Sequence, residues 1–83
     1  MLIHKVAPKY PKKAKKQHLE GTVRLKILID PKGNIIEVSA ISGDSLLTSA
    51  AIEAVKKWRY KPVTLNGQAV EVETTVDVDF ALN

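Results

Sequence analysis

The sequence predicts an α+β domain, a three-stranded antiparallel sheet covered on one face by two helices in the order αββαβ. Three observations carry this expectation. Residues 22–30 and 70–82 alternate apolar and polar side chains, the period of two that gives a strand one dry and one wet face. Asp30-Pro31-Lys32-Gly33-Asn34 has the chemistry of a turn between neighbouring strands, with proline presetting φ early and glycine accepting φ > 0 late. Leu47, Ala51, Ile52, Val55 and Trp58 recur at helical spacing, a stripe able to cover such a sheet.

The first helix is expected from about Pro11 to His18. Proline suits a first helical position because it lacks the N–H that would be orphaned there, and Ala14 lies one turn after Tyr10. Glu20-Gly21 is expected to stop it, glycine tolerating a left-handed conformation. In the following strand Val23, Leu25, Ile27 and Ile29 point inward, Arg24 and Lys26 outward. The second strand, residues 35–41, places Ile36, Val38 and Ala40 on one face and Ile35 and Ile41 on the other, so a bulge or end effect is expected. For the second helix Thr48 is the expected N-cap, with Leu47 and Ile52 forming a hydrophobic staple around it. Lys56, Lys57 and Arg59 suit the negative end of its dipole, and Pro62 forbids continuation. Asn66-Gly67 is a turn signal.

The last strand organises the rest. Val70, Val72, Thr74, Val76, Val78, Phe80 and Leu82 share one face; Glu71, Glu73, Thr75, Asp77 and Asp79 share the other. It would run roughly 40 Å, longer than a small domain is expected to pair throughout. With the first two strands forming a hairpin, this strand joins one flank of the sheet, leaving an open edge that invites another chain.

Composition narrows the function. The chain has 83 residues, 45% of them hydrophobic, which is one domain (1–83, with 1–9 as a lead-in) and a modest core. There is no cysteine, hence no disulfide or thiolate metal site, and no cofactor motif is evident. No apolar run approaches the length needed to cross a bilayer, and the N-terminus is too short for a signal sequence. The net charge of +4 is uneven, with Lys5, Lys9, Lys12, Lys13, Lys15 and Lys16 near the start and four of nine acids on the last strand. Such a basic run can mark nucleic-acid or anionic-lipid binding, though a solvated helix face is the simpler account.

The sharper readings of individual residues do not stand up against plainer ones. Glu71, Glu73, Asp77 and Asp79 have a spacing, about 7 Å, at which paired carboxylates hydrolyse glycosides, but nothing points to the pocket needed to split their pKa values. His4 and His18 lack the spacing and companions of a metal site. Ser39, Ser42, Ser45 and Ser49 lie in no nucleophile elbow. Trp58 and Tyr60 would have to form a stacking platform beside the lysines, yet Trp58 continues an apolar stripe and the wet strand face is acidic. Catalysis is therefore not expected. A basic nucleic-acid module using Lys12, Lys13, Lys15 and Lys16 is the alternative to strand pairing.

Taken in order, Tyr10-Pro11 with Ala14, Glu20-Gly21 before an alternating strand, Asp30 to Gly33, Ser42-Gly43, Leu47 with Ala50-Ala51, Val55, the run Trp58-Arg59-Tyr60-Lys61-Pro62, Asn66-Gly67 and the closing Phe80-Ala81-Leu82 form a recognisable series. The chain resembles the C-terminal domain family of TonB, the energy transducer of Gram-negative bacteria. Thr48 stands where that family often has aspartate, and both residues cap helices. The resemblance implies a periplasmic module whose last strand pairs with the TonB box of TonB-dependent outer-membrane transporters. It implies a transmembrane helix and proline-rich spacer, outside these 83 residues, that connect to the proton-motive complex of the inner membrane. The partner-binding residues would be Val70, Glu71, Val72, Glu73, Thr74, Thr75, Val76, Asp77, Val78 and Asp79, with Lys9 and Tyr10 from the lead-in. The same edge can pair with a second copy, giving a homodimer.

Overall fold

A computed structural model describes residues 2–82. The elements run β1 (Leu2–His4), α1 (Lys12–Lys16), β2 (Gly21–Ile29), β3 (Ile35–Ser42), α2 (Ser45–Val55), β4 (Arg59–Tyr60), β5 (Val63–Leu65), β6 (Gln68–Val70) and β7 (Val72–Phe80). The main sheet is antiparallel and three-stranded, in the order β3-β2-β7. Two small ladders accompany it, β1 with β4 and β5 with β6. The mixed α+β class with an antiparallel sheet and two helices is as expected, while the element order among the described residues is βαββαββββ in place of αββαβ.

The core follows from the period of β2. Val23, Leu25, Ile27 and Ile29 are all buried and form one cluster with Ala14 of α1, with Leu47, Ala51 and Val55 of α2, and with Trp58, Val78 and Phe80. Burial of such side chains contributes about 1.5–3 kcal/mol each, and the cluster joins both helices to the sheet. Tyr10 packs edge-on against Phe80 with ring centroids 5.4 Å apart, and its hydroxyl donates to the Leu19 carbonyl. Desolvation, and to a smaller extent the charge of Glu20, raise the Tyr10 phenol above its ordinary range.

Several boundaries differ from expectation. α1 ends at Lys16, and the left-handed residue after it is His18 (φ 53°), while Gly21 already opens β2. Asp44, not Thr48, caps α2: its side chain accepts from the Leu46 N–H at 2.9 Å. Thr48 sits inside the first turn and donates its hydroxyl to the Asp44 carbonyl. In β3 the inward residues are Ile35 and Val38, while Ile36 and Ala40 are exposed. A register shift explains Ile36, because Leu28 and Ile29 face Glu37 and Ile35, leaving Ile36 as an extra residue; Ala40 shares the face of Val38 and is exposed near the strand's end, where a second shift skips Ile41 between Ala40 and Ser42. Each extra residue reverses the faces that follow.

The last strand also departs from expectation. Val70 pairs with Val63 in the β5–β6 hairpin, whose two-residue turn has Asn66 (φ 53°) and Gly67 (φ 80°), both left-handed as this turn requires. Glu71 breaks the chain between β6 and β7, and Leu82 lies beyond the strand. β2 then pairs all nine residues of β7, from Val72 with Ile29 to Phe80 with Gly21, so one flank is complete where a partial neighbour was expected.

The edge of β7 and its surroundings

β7 is terminal in the sheet order, so its second flank has no strand partner among the described residues. Its nine-residue register is unbroken. In an antiparallel ladder alternate residues turn both their N–H and C=O to the same neighbour, so the set not serving β2 faces outward. Val78 is buried and Val72 and Val76 are half-buried on the core side, while Glu73, Thr74, Thr75, Asp77 and Asp79 are exposed. The outward flank therefore presents backbone groups on a strand anchored from beneath.

Polar contacts tie the wet face of β7 to β2. Arg24 donates to both carboxylate oxygens of Asp77, from Nε at 2.9 Å and Nη2 at 3.2 Å, and the Thr22 hydroxyl donates to Asp79 at 2.7 Å. Lys26 reaches Glu73 at 4.0 Å, a looser pair. The hydrogen bond and charge of Arg24 hold Asp77 below the usual carboxylate range against a smaller opposing desolvation. A proton donor needs the reverse, a raised pKa in a partly dry site, which Asp77 does not have.

The lead-in runs beside the far end of this edge. β1 is fastened by its ladder to β4, and the Val6 carbonyl accepts from the Trp58 indole N–H at 2.9 Å. The Lys5 ammonium lies 5.6 Å from the centre of the Trp58 ring, a cation–π contact. A cleft between Lys5, Pro8 and Trp58 on one side and Asp77, Val78 and Asp79 on the other lies alongside the strand. It touches consecutive residues whose side chains point to opposite faces, which places it at the flank. Among the described residues no backbone hydrogen bond joins the lead-in to β7.

The expected site residues thus separate into three groups. Val72 to Asp79 lie together along the edge. Val70 belongs to the hairpin and Glu71 to the break. Lys9 lies against α2, beside Ala50 and Glu53, and Tyr10 is engaged with Leu19 and Phe80. Lys5 and Pro8 are flank neighbours of β7 within the stretch Lys5 to Lys9, which the family resemblance implies can touch the box peptide, although no residue pattern there marks them individually. The one signal available was Trp58, whose indole N–H requires a partner when buried, but nothing local says that the partner is fifty-two residues away.

The lysines of α1 are exposed, while Trp58 is 4% exposed and closed to stacking. No grouping of His, Asp and Glu among the described residues could hold a metal ion.

Comparison with known proteins agrees with this geometry. A sequence model of the family described as Gram-negative bacterial TonB protein C-terminal matches residues 6–82. The chain is 37% identical over 79 residues to Protein TonB of Vibrio cholerae, covering 93% of this chain and 32% of that protein. It is 36% identical over 83 residues to Protein tonB2 of Pseudomonas aeruginosa, covering 98% of this chain and 31% of the relative. It is 38% identical over 78 residues to Protein TonB of Xanthomonas campestris, covering 92% and 35%. The chain spans about a third of the length of these curated relatives. Its fold matches the solution NMR structure of the Pseudomonas aeruginosa TonB CTD with a TM-score of 0.80 at 23% identity, over 99% of this chain and 85% of that one. None of these matches supports the nucleic-acid reading. The chain belongs to the family of Gram-negative bacterial TonB protein C-terminal domains.

Proposed function

We propose that this domain is the periplasmic, partner-binding end of a TonB-type energy transducer. An extended segment of an outer-membrane transporter, the TonB box, adds to the free flank of β7 as a fourth strand and receives force through it. The observation that carries this reading is the unbroken nine-residue register of β7 with β2 beside an unpartnered second flank. A regular edge is the template that strand addition needs, main-chain hydrogen bonds supplying affinity and alternate side chains supplying selection.

The magnitudes fit a reversible contact. Four or five outward residues, each offering an N–H and a C=O, make about eight to ten hydrogen bonds; at about 1 kcal/mol net each, less association costs, they leave an affinity no tighter than micromolar. Under tension along the strand axis those bonds share the load, while Val78 and Phe80 hold β7 to the core. Residues 72–79 form the binding strand, Lys5 and Pro8 bound its far end, and Tyr10 fastens the start of α1. In the parent protein, a membrane anchor would link the domain to the proton-motive complex of the inner membrane. A second copy of the chain can compete for the same flank, forming a dimer by edge pairing.

Amide-shift mapping during titration with box-like peptides tests the proposal. Shifts are expected along residues 72–79, with slowed hydrogen exchange at the outward amides. Binding should change little with salt. Shifts confined to residues 12–16, with steep salt dependence, would overturn it.

A further inference from the structure

A second groove lies on the helical side of the molecule, between the lead-in and α2. It consists of two connected clefts that share Lys9, Ala50 and Glu53. The larger has a volume of about 450 Å³, within the range of sites that hold ligands or peptide side chains. Pro11 and the half-buried Leu46 and Ala50 contribute apolar lining. Lys12 stands at one end, Lys57 at the other, and Lys9 at the junction of the two clefts. Glu53 is the one carboxylate of the lining. Both ion pairs among the described residues lie on the sheet, so these three ammonium groups have no carboxylate partner at salt-bridge distance.

We propose that this groove binds a short, extended, acidic segment of a partner protein, separately from the edge of β7. Charge complementarity selects the occupant, because positive groups flank an apolar floor at both ends. From Ser45 to Lys57 the α-helical rise corresponds to about 18 Å, the span of five or six extended residues. No arginine lines the groove, so the guanidinium fork that grips phosphate bidentately is missing; lysines spaced along the line suit successive carboxylates as point charges. Tyr10, the aromatic residue of the lining, is packed edge-on against Phe80 and offers no free face for a nucleobase. This inference does not depend on strand addition at β7, and a domain with both sites can hold two segments of a partner at once.

The probe is a capped hexapeptide alternating aspartate and leucine, titrated into isotopically labelled domain. Amides of residues 9, 10, 12 and 46–57 are expected to shift while those of 72–80 stay still, and binding should weaken several-fold from low to physiological salt. Lys12→Glu combined with Lys57→Glu should weaken binding roughly tenfold, as two reversed surface charges do. Ser49→Trp, at an exposed lining position, should fill the groove and abolish binding. A box-like peptide should bind both variants as it binds the parent, which separates this site from the β7 edge. Shifts confined to 72–80, or unchanged affinity in both variants, would overturn the proposal. So would movement of the groove amides by anionic phosphatidylglycerol vesicles with none by the peptide, which would assign the surface to lipid headgroups.

Discussion

The two flanks of the main sheet are built from strands of nearly equal length and behave oppositely. β7 meets β2 over nine residues without interruption. β3 meets β2 with two register shifts, and the extra residues, Ile36 and Ile41, stand 50% and 52% exposed. A bulge bends its strand, raises the local twist and leaves a residue outside the ladder, which spoils an edge as a template. One inserted residue near each end of β3 therefore does what covering loops do elsewhere. The sheet has two open edges by topology but one regular edge by geometry, and this gives docking its side.

The largest test of the contrast compares core anchorage. Phe80 is 4% exposed at the end of β7, against Tyr10. Phe80→Ala should destabilise by about 3–5 kcal/mol, whereas Ile36→Ala should stay within about 0.5 kcal/mol. Urea unfolding of both variants checks this, and equal costs would show that β3 is held as firmly as β7. Next comes the turn joining β2 to β3. A Cβ on Gly33 would stand 1.9 Å from the Tyr60 carbonyl oxygen, at φ +90°. Tyr60 donates its N–H to the Gly33 carbonyl, so the turn and β4 cannot easily separate. Gly33→Ala should cost about 2–3 kcal/mol, read in the same unfolding measurement.

What the sequence made legible was local in origin. The alternation of Val23, Leu25, Ile27 and Ile29, and the helical recurrence of Leu47, Ala51, Val55 and Trp58, appear in the core as read. What it hid was set by distant partners. Val70 and Val72 have the same parity, so the alternation runs straight through Glu71, and only the pairing of Val70 with Val63 ends one strand and begins another. Asp44 and Thr48 are both capping residues one turn apart, and a helical period alone does not choose between them. Strict alternation puts Ile36 on the face of Val38 because it assumes that no residue has been inserted, and the pattern alone does not locate the expected bulge. Of the candidate site, the edge itself was legible, while the lead-in beside it depends on Val6 meeting Trp58 across the chain.

The bulge argument predicts its own reversal. Deleting Ile41 aligns Ala40 and Ser42 with Leu25 and Arg24 without a skip. The stability change should be at most about 1 kcal/mol, since Ile41 is surface-exposed. The altered β3 should nevertheless gain self-association, seen as a concentration-dependent rise in sedimentation coefficient relative to the parent domain. Unchanged sedimentation would mean that something other than the bulges protects that flank.

The smallest effect concerns the polar ties, which join β7 to β2 through Asp77 and Asp79. Arg24 lowers the folded-state pKa of Asp77, first by its hydrogen bond and then by its charge. Asp30 is lowered as well, chiefly by the Asn34 N–H and further by that of Lys32, both at 2.9 Å from its carboxylate. A depressed carboxyl contributes stability that is present above its unfolded value, near pH 4, and is lost as pH falls through the folded value. Stability should therefore stay level from neutrality to about pH 5 and decline below pH 4. The two carboxyls are told apart by substitution. Arg24→Gln should return Asp77 to the ordinary range in carboxyl-carbon NMR and shrink the acid decline without removing it, whereas Asp30→Asn should remove the part belonging to the turn. Because Asp77 faces water, its share is the lesser one, and an acid decline abolished by Arg24→Gln alone would mean that the tie between β7 and β2 outweighs the turn that leads into β3.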